Sequence, residues 1–397
     1  MKVIISVSAA IMLMLLSACK KSNDDTRQPE LTDPAKYYFI STTDDNPSPI
    51  TGSSTSLNAY NPDLTLKWRK QNMAGGALTA FLVDKEVVYA VIQYNIYALN
   101  SATGAEIWSK LQTQEQIYRI VKKEDTLYCS TVANTSGAIS ITAYRASTGA
   151  LVWRKPLNTQ FATTYLTVDG NTLYYTAPTS VFNNSLFAMD LATQNIKWST
   201  PIGAIGWVYS RIIFSENKLF LKTSDGKLLA IDKTNGNILW NKTGLSSDNP
   251  VLTANNSTIV SASSSQQSVF GFDANNGNQL WVQYPDPRNG LAAIYISDDG
   301  DNFYMAGGDT VECVMKLDAK TGNKIWRQNF KNNMLRYPIT VGNKTFLLKV
   351  SSNVNYGHTI MSFDASTGDF KDSLRLPYRF AGIPSVISVS GKYFNPY

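Results

Sequence analysis

Histidine is a residue type that often indicates catalysis or metal binding, and this chain contains only one, His358. A zinc site with several histidine ligands is therefore excluded. A triad built on His358 would need a Ser or Cys nucleophile motif, and none accompanies it in the polar stretch SSNVNYGHT. We predict that His358 is not catalytic.

Three carboxylates lie close together in SDDGDN, residues 297–302, and could ligate calcium. This stretch falls where the other repeats described below have a hairpin turn, and Asp-Gly is a turn signal by itself. We favour a structural turn over a calcium loop, and we predict no metal site.

The N-terminus has the layout of an export signal, with Lys2, an apolar run over residues 3–18 and then Cys19. The segment LSAC, which ends at Cys19, resembles the bacterial lipobox, and this resemblance implies cleavage before Cys19 and acylation of its side chain and amino group. Several acyl chains anchor a protein stably without a spanning helix. An ordinary cleaved signal with an incidental cysteine is the alternative.

Residues 19–35 are polar, lack hydrophobic periodicity and contain Pro29 and Pro34. They predict a flexible tether between a signal peptide, residues 1–18, and a folded domain, residues 36–397. Their lysine-then-acidic order is similar to the surface-export signals of some Bacteroidetes lipoproteins. We predict lipid anchoring to the outer membrane, on the periplasmic face or at the cell surface.

The charge balance argues against nucleic-acid binding. The formal net charge is +6, which is a small excess over 397 residues, and no basic cluster is evident. With 43% hydrophobic and 17% charged residues, the chain can bury a large core.

A repeat dominates the chain, with tryptophans spaced 40 to 45 residues apart. Each copy has an alternating apolar run, a turn related to Asp-x-x-Thr-Gly and a second short run, as in LLAIDKTNGNILW. Such a copy predicts two antiparallel strands joined by a tight turn. The tryptophans are Trp68, Trp108, Trp153, Trp198, Trp240, Trp281 and Trp326, and an eighth copy has Asp372 instead.

A further hairpin lies upstream, as in YLTVDGNTLYYTA. Four strands per repeat is the pattern of a propeller blade, so eight copies predict an all-β, eight-bladed, monomeric propeller of four-stranded antiparallel blades. The chain enters one unit midway at KYYFISTT and ends with another strand pattern in YRFAGIPSVISVSGKYFNPY. N- and C-terminal strands are therefore predicted to share one blade. The copy with Asp372 is interpreted as a genuine blade that lacks the indole.

The pattern AIDKTNGNILW resembles the repeat of the pyrroloquinoline-quinone-type propellers, which implies that the tryptophans dock each blade against its neighbour. Dehydrogenases of that family use calcium, a catalytic Asp and typically two adjacent cysteines. Cys129 and Cys313 are instead four blades apart, so we predict two buried free thiols, no cofactor and no enzymatic activity.

Four lysines follow a blade tryptophan by two residues: Lys70, Lys110, Lys155 and Lys242. They could form a basic arc for an acidic partner or for lipid headgroups. We favour the alternative that lysines on outer strands block edge-to-edge pairing.

The long loops between second and third strands should emerge on one face, together with the connections between blades. Insertions on one face often mark a binding face, although variable solvated loops are the alternative. We predict partner-binding residues in YPDPRNG and SSNVNYGHT, namely Tyr284, Arg288, Tyr356 and His358.

These features favour a membrane-anchored scaffold that binds a protein partner. The chain resembles the propeller lipoproteins of the outer-membrane β-barrel assembly machinery in its lipobox, size and repeat. A surface propeller that binds a glycan or another ligand, and a quinone-dependent dehydrogenase, are the alternatives.

Overall fold

The computed structural model describes residues 39–44, 55–73, 78–84, 86–92, 94–111, 115–160, 164–180, 183–203, 211–245, 252–254, 257–263, 268–284, 294–298, 301–307, 311–331, 334–341, 343–350 and 359–375. The structure is all-β, with antiparallel sheets arranged as the blades of a propeller. None of the described segments forms a helix with the length and apolar character that a bilayer crossing requires.

The first sheet, called sheet 1, has three strands, and the following sheets, called blades 2 to 8, have four strands each. Sheet 1 comprises β1 (Phe39–Asp44), β2 (Thr55–Tyr60) and β3 (Leu66–Met73). Blade 2 comprises β4 (Leu78–Asp84), β5 (Val87–Ile92), β6 (Asn95–Asn100) and β7 (Glu106–Leu111). Blade 3 comprises β8 (Glu115–Lys123), β9 (Thr126–Ala133), β10 (Ala138–Arg145) and β11 (Leu151–Gln160).

Blades 4 to 6 repeat this order. Blade 4 comprises β12 (Leu166–Asp169), β13 (Thr172–Ser180), β14 (Asn183–Asp190) and β15 (Ile196–Pro201). Blade 5 comprises β16 (Ile213–Ser215), β17 (Lys218–Lys222), β18 (Leu228–Asp232) and β19 (Ile238–Lys242). Blade 6 comprises β20 (Leu252–Ala254), β21 (Thr258–Ser263), β22 (Ser268–Asp273) and β23 (Gln279–Gln283).

Two further blades follow. Blade 7 comprises β24 (Ile294–Asp298), β25 (Asn302–Gly307), β26 (Val311–Asp318) and β27 (Lys324–Lys331). Blade 8 comprises β28 (Met334–Val341), β29 (Lys344–Val350), β30 (Thr359–Asp364) and β31 (Phe370–Arg375). Asp298 pairs with Phe303 where β24 is followed by β25, so SDDGDN falls between two antiparallel strands, and its residues 299 and 300 lie outside the described residues.

The prediction of eight four-stranded blades needs correction, because the described residues form seven such blades and one three-stranded sheet. Within the described part of the chain, sheet 1 has the three strands β1, β2 and β3. The C-terminal residues that were predicted to supply the missing strand lie outside the described residues. The strand shared between the termini therefore stays a prediction.

The first strand of each blade is its inner strand, and the fourth is its outer strand. Inner strands of successive blades contact each other, as β4 contacts β8, β8 contacts β12 and β24 contacts β28. The inner strands consequently surround the centre of the ring. The last blade also meets the first sheet, because Lys344 Nζ donates to the carbonyl oxygen of Pro62 at 3.1 Å.

Blades are held together by apolar side chains that alternate along the strands. In blade 3, for example, Cys129 and Ile117 pack toward blade 2, whereas Ile141 and Ala143 pack toward blade 4. Because successive residues of a strand point to opposite faces, each sheet buries both faces between its neighbours. This double burial explains why the central strands read as nearly continuous apolar runs.

The turns between third and fourth strands are stabilised by an Asp or Asn that accepts hydrogen bonds from the turn. Asp364 accepts from the backbone N–H groups of Ser366 and Thr367 at 2.9 and 3.1 Å, and from the Ser366 hydroxyl. These bonds favour the ionised form and hold the pKa of Asp364 well below its usual range, the Ser366 hydroxyl contributing most. Asn100 accepts the equivalent bonds from Ala102 and Thr103 in blade 2.

The lowered pKa of Asp364 makes its contribution to stability pH-dependent. The stabilisation is present above the pKa of the unfolded chain, about 3.9, and is lost as the pH falls toward the folded-state pKa. We expect Asp364→Asn, which copies Asn100, to fold at neutral pH and to reduce the loss of unfolding free energy between pH 7 and pH 2 by about 2 kcal/mol. Urea unfolding across this pH range measures the effect. Asp372→Asn, at an exposed position, is the control, and an unchanged pH dependence in Asp364→Asn would contradict the assignment.

Candidate functional site

The blade junctions contain the repeated tryptophans. In the junction between blades 2 and 3, Trp108 Nε1 donates to the carbonyl oxygen of Ala146 at 2.8 Å. Its ring covers Gly149, where a Cβ atom would lie 2.7 Å from the Trp108 Cε3 atom. Indole donors reach the next sheet in the same way from Trp68, Trp198, Trp240, Trp281 and Trp326. Trp153 contacts the Tyr128 ring within its own blade.

The glycine of the turn has two roles in this junction. Gly149 has a φ of +70°, a conformation that costs other residues energy, and it leaves room for the indole. The conformational role is expected of a glycine in a tight turn. The steric role depends on a tryptophan about 40 residues upstream and becomes visible only in the ring.

A second contact across the junction involves the residue two positions after the tryptophan. Lys110 Nζ donates to the Gly149 carbonyl oxygen at 3.1 Å, and Lys155 Nζ donates to that of Gln194 at 2.9 Å. Lys70 forms an ion pair with Glu106 of the next blade at 3.2 Å. The ammonium groups of these three lysines bind the neighbouring blade, a role that neither the basic-arc hypothesis nor the blocking of edge pairing predicted. The sequence signal for this contact was the recurrence of lysine two residues after the tryptophan.

The junction between blade 8 and sheet 1 lacks both the tryptophan and the turn glycine that meet at most of the other junctions. Asp372 pairs with Ser362 in the register where Trp326 pairs with Lys316, so it occupies the tryptophan position of a four-stranded blade. In sheet 1, the turn is one residue shorter, and Leu64 takes the place of the glycine with a φ of +65°. Leu64 is only 5% exposed. Loss of the indole thus coincides with Leu64 at a turn position that is glycine in most other blades and Gln194 in blade 4.

The cysteines and acidic residues give no sign of a redox or metal centre in the described part of the chain. Cys129 and Cys313 are both buried and free, as predicted. Burial raises the pKa of the Cys129 thiol, which disfavours the reactive thiolate. Among the described residues, no cluster of three or more His, Cys, Asp or Glu side chains could hold a metal ion.

Near the face that carries the loops between second and third strands, here called the loop face, polar side chains link strands of the same sheet. Arg154 donates through Nε to Ser140 Oγ at 3.2 Å and forms an ion pair with Glu115. Arg69 donates through Nε to Ser56 Oγ at 3.3 Å in sheet 1.

Most of the predicted partner-binding residues cannot be placed. Arg288, Tyr356, His358 and the lipidation residue Cys19 lie outside the described residues. Tyr284 directly follows β23 toward the loop face and is 43% exposed. The structure therefore describes one of the four candidates, and the partner-binding assignment stays a prediction.

The outer strands form a second candidate surface, which sequence reasoning missed. One or two residues before the tryptophan position, every outer strand exposes a large apolar side chain, with exposures of 41 to 56%. We call this set the outer apolar belt: Leu66, Ile107, Leu151, Val152, Ile196, Ile238, Leu239, Leu280, Ile325 and Phe370. Because the belt lies on edge strands, backbone groups and apolar side chains are offered to a partner together.

A family model described as outer membrane protein assembly factor BamB matches residues 50–242, 139–281 and 265–371. The chain belongs to this family. The family resemblance inferred from the tryptophan repeat is thereby confirmed.

Individual relatives differ in activity. A BamB of Shewanella oneidensis is 23% identical over 262 residues, which are 63% of either chain. A lanthanide-dependent methanol dehydrogenase of Methylacidiphilum fumariolicum is 27% identical over 165 residues, which are 36% of this chain and 26% of the relative. The chain thus spans less than two thirds of the length of these relatives.

A solved structure supports the same fold. BamB from Moraxella catarrhalis superimposes with a TM-score of 0.55 at 18% identity, over 78% of this chain and 96% of that one. At this identity the likeness establishes the propeller fold and nothing finer.

Proposed function

We propose that this protein is a non-enzymatic, lipid-anchored scaffold that binds protein partners in outer-membrane protein assembly. The observation that carries the proposal is the family match, which extends from residue 50 to residue 371 and therefore includes most of the repeats. Cys19 would carry the lipid, and the protein would be held at the outer membrane.

The outer apolar belt supports binding to a protein. Leu151 and Val152 are adjacent, 56% and 48% exposed, and lie at the start of the edge strand β11. An added strand could hydrogen-bond to such an edge and bury these side chains. Loop-face residues such as Tyr284 would extend the contact.

Affinity purification tests the proposed function. The tagged protein is recovered from mildly solubilised membranes after brief cross-linking, and co-purified proteins are identified by mass spectrometry. We expect components of the outer-membrane β-barrel assembly machinery with the wild-type protein. We expect at least a tenfold loss with Cys19→Ala, because the unanchored protein leaves the membrane surface, an order-of-magnitude estimate from effective concentration.

Variants in the outer apolar belt test partner binding separately from lipid anchoring. Leu151→Ser combined with Val152→Ser should reduce recovery of the partner while leaving the protein at the membrane. Ala150→Ser, at the exposed neighbouring position, is the matched control. Recovery of no assembly component by a folded, membrane-bound protein would contradict the scaffold proposal.

A quinone-dependent dehydrogenase is the second candidate, because part of the chain is similar to a methanol dehydrogenase. The purified protein would be incubated with pyrroloquinoline quinone, calcium or a lanthanide, an alcohol and a redox dye. Our proposal predicts no dye reduction above the protein-free control. Quinone-dependent reduction of the dye would show that the protein is an enzyme and would contradict the non-enzymatic scaffold proposal.

A further inference from the structure

Two prolines reveal the direction of the backbone groups in the outer strands. Pro156 in β11 and Pro201 in β15 each lie three residues after the blade tryptophan. Proline has no N–H, so a paired strand accepts it where that group would point away from the neighbouring strand. The next residue in blade 4, Ile202, donates its N–H to the Asn184 carbonyl oxygen of the third strand at 3.0 Å. The position three residues after the tryptophan therefore faces the outer edge of the sheet.

Strand β27 of blade 7 has the same register without the proline. From Trp326 to Lys331 it pairs with β26 without a register shift, and Asn329 stands where β11 and β15 have proline. Because backbone groups alternate in direction along a strand, the N–H and C=O groups of Arg327, Asn329 and Lys331 point to the outer edge. Within the described part of the chain, no strand pairs with this edge.

The edge of β27 is also the longest regular one among the described outer strands. Counted from the tryptophan position, regular pairing covers six residues in β27 and three or four in the other outer strands. Pro156 confines the open edge of β11 to its start, where Leu151 and Val152 lie. Short edges and prolines protect edge strands from pairing. β27 lacks both protections.

The side chains of β27 indicate what kind of strand it would accept. Its sequence, KIWRQNFK, has three basic residues and no acidic one. Arg327 Nε donates to Asn329 Oδ1 at 2.6 Å, so both side chains lie along one face of the strand. The rings of Trp326 and Phe330 lie on the other face, against blade 8, and Ile325 is 48% exposed. An added strand with acidic and apolar residues in alternation would complement the two faces.

We propose that a protein partner adds an extended segment of this alternating acidic and apolar kind to the outer edge of β27, as a fifth strand of blade 7. The backbone groups of β27 that point outward bond to the segment, and Arg327 attracts its carboxylates. This binding mode deepens the proposed scaffold function and rests on it in taking the partner to be a protein. It is separate from the contact at Leu151 and Val152, because those residues belong to blade 3.

Calorimetric titration of the purified protein with the peptide N-acetyl-Val-Glu-Val-Glu-Val-Glu-amide tests the proposal. We expect a Kd of about 1 mM or tighter, and binding at least about tenfold weaker when lysine replaces each glutamate. Two further peptides are N-methylated, one at every valine and one at every glutamate. Only alternate N–H groups of an added strand face the edge, so one of these peptides should lose binding and the other should keep it.

Asn329→Pro closes the edge as Pro156 and Pro201 do in their own strands. Since two blades already accept proline at this position, we expect the variant to fold, which thermal unfolding checks. The Kd for the acidic peptide should rise at least about tenfold. Asn329→Ser is the matched control, because it also removes the amide side chain but keeps the backbone N–H. Its Kd should stay within about twofold of the wild-type value.

A charge variant keeps the test valid if Asn329→Pro does not fold. Arg327→Glu keeps the backbone N–H and reverses the charge beside the edge. We expect weaker binding of the acidic peptide, by about fivefold or more, and tighter binding of the lysine peptide. An unchanged preference between the two peptides would contradict the role of Arg327.

Three results would overturn strand addition at β27. They are no binding of the acidic peptide by the folded wild-type protein, equal binding of the two N-methylated peptides, and equal Kd values for Asn329→Pro and Asn329→Ser. Binding that responds to Arg327→Glu but not to Asn329→Pro would mean that charge alone attracts an acidic partner or a lipid surface, and would also overturn it. The affinity purification of assembly components is a separate measurement, so the scaffold function and the strand edge can fail independently.

Discussion

Replacing Trp281 by alanine is expected to lower the free energy of unfolding by about 3–5 kcal/mol. Trp281 is 7% exposed, and its Nε1 donates to the Ala319 carbonyl oxygen at 3.0 Å in blade 7. Its ring fits between two glycines, because a Cβ atom would lie 2.1 Å from the ring at Gly271 and 2.4 Å from it at Gly322. The substitution removes this contact from both blades. Urea unfolding followed by circular dichroism measures the change.

Two controls isolate the junction. Leu280→Ala removes a neighbouring apolar side chain that is 46% exposed, so its effect should stay within about 0.5 kcal/mol. Gly322→Ala and Gly170→Ala both place a Cβ atom at positive φ, but only Gly322 faces a tryptophan, and nothing lies within 4 Å at Gly170. Gly322→Ala should therefore be the more destabilising of the two. Equal losses of unfolding free energy in the two variants would mean that glycine is required at position 322 by its positive φ and not by the space that the indole needs.

At the junction of blade 8 and sheet 1, Leu64→Gly and Asp372→Trp are expected to have strongly non-additive effects on the free energy of unfolding. Leu64→Gly removes a side chain that is 5% exposed, and should cost about 2–3 kcal/mol after relief of its positive φ. Asp372→Trp should also destabilise, because the new indole would meet Leu64. The double variant restores the tryptophan–glycine combination found at most of the other junctions, the exception being Trp153 with Gln194. We expect it to be more stable than the sum of the single effects predicts, by about 1–3 kcal/mol.

The same urea titrations complete this double-mutant cycle. Asp372→Ser serves as the control, because it removes the exposed carboxylate without adding an indole. Strict additivity of Leu64→Gly and Asp372→Trp would show that the two residues do not face each other. The contact between Lys344 and Pro62 would then be the junction's main described link.

Much of the fold could be predicted because the repeat encodes local structure. The alternation of apolar residues defined the strands, and the Asp, Asn and Gly residues defined the turns, as the bonds around Asp364 and the φ of Gly149 show. The position of Asp372 in a four-stranded blade also followed from the repeat. Each of these features depends on residues that are close in the chain.

The candidate sites were less predictable. The outer apolar belt was overlooked because a Leu before the tryptophan, such as Leu151, reads as core in a strand pattern. Of the predicted partner-binding residues, only Tyr284 is described.

The sequence by itself determined the all-β class, the repeat unit, the turn positions and the tryptophan repeat. Tertiary structure decided what each of these residues touches, including the lysines that bind the next blade, the burial of Leu64 in the turn of the first sheet, and the three-stranded first sheet. The physical reason is the range of the interactions. Hydrogen bonds within a turn are fixed by neighbours in the chain, whereas a junction joins residues about 40 positions apart, whose contacts exist only once adjacent blades pack.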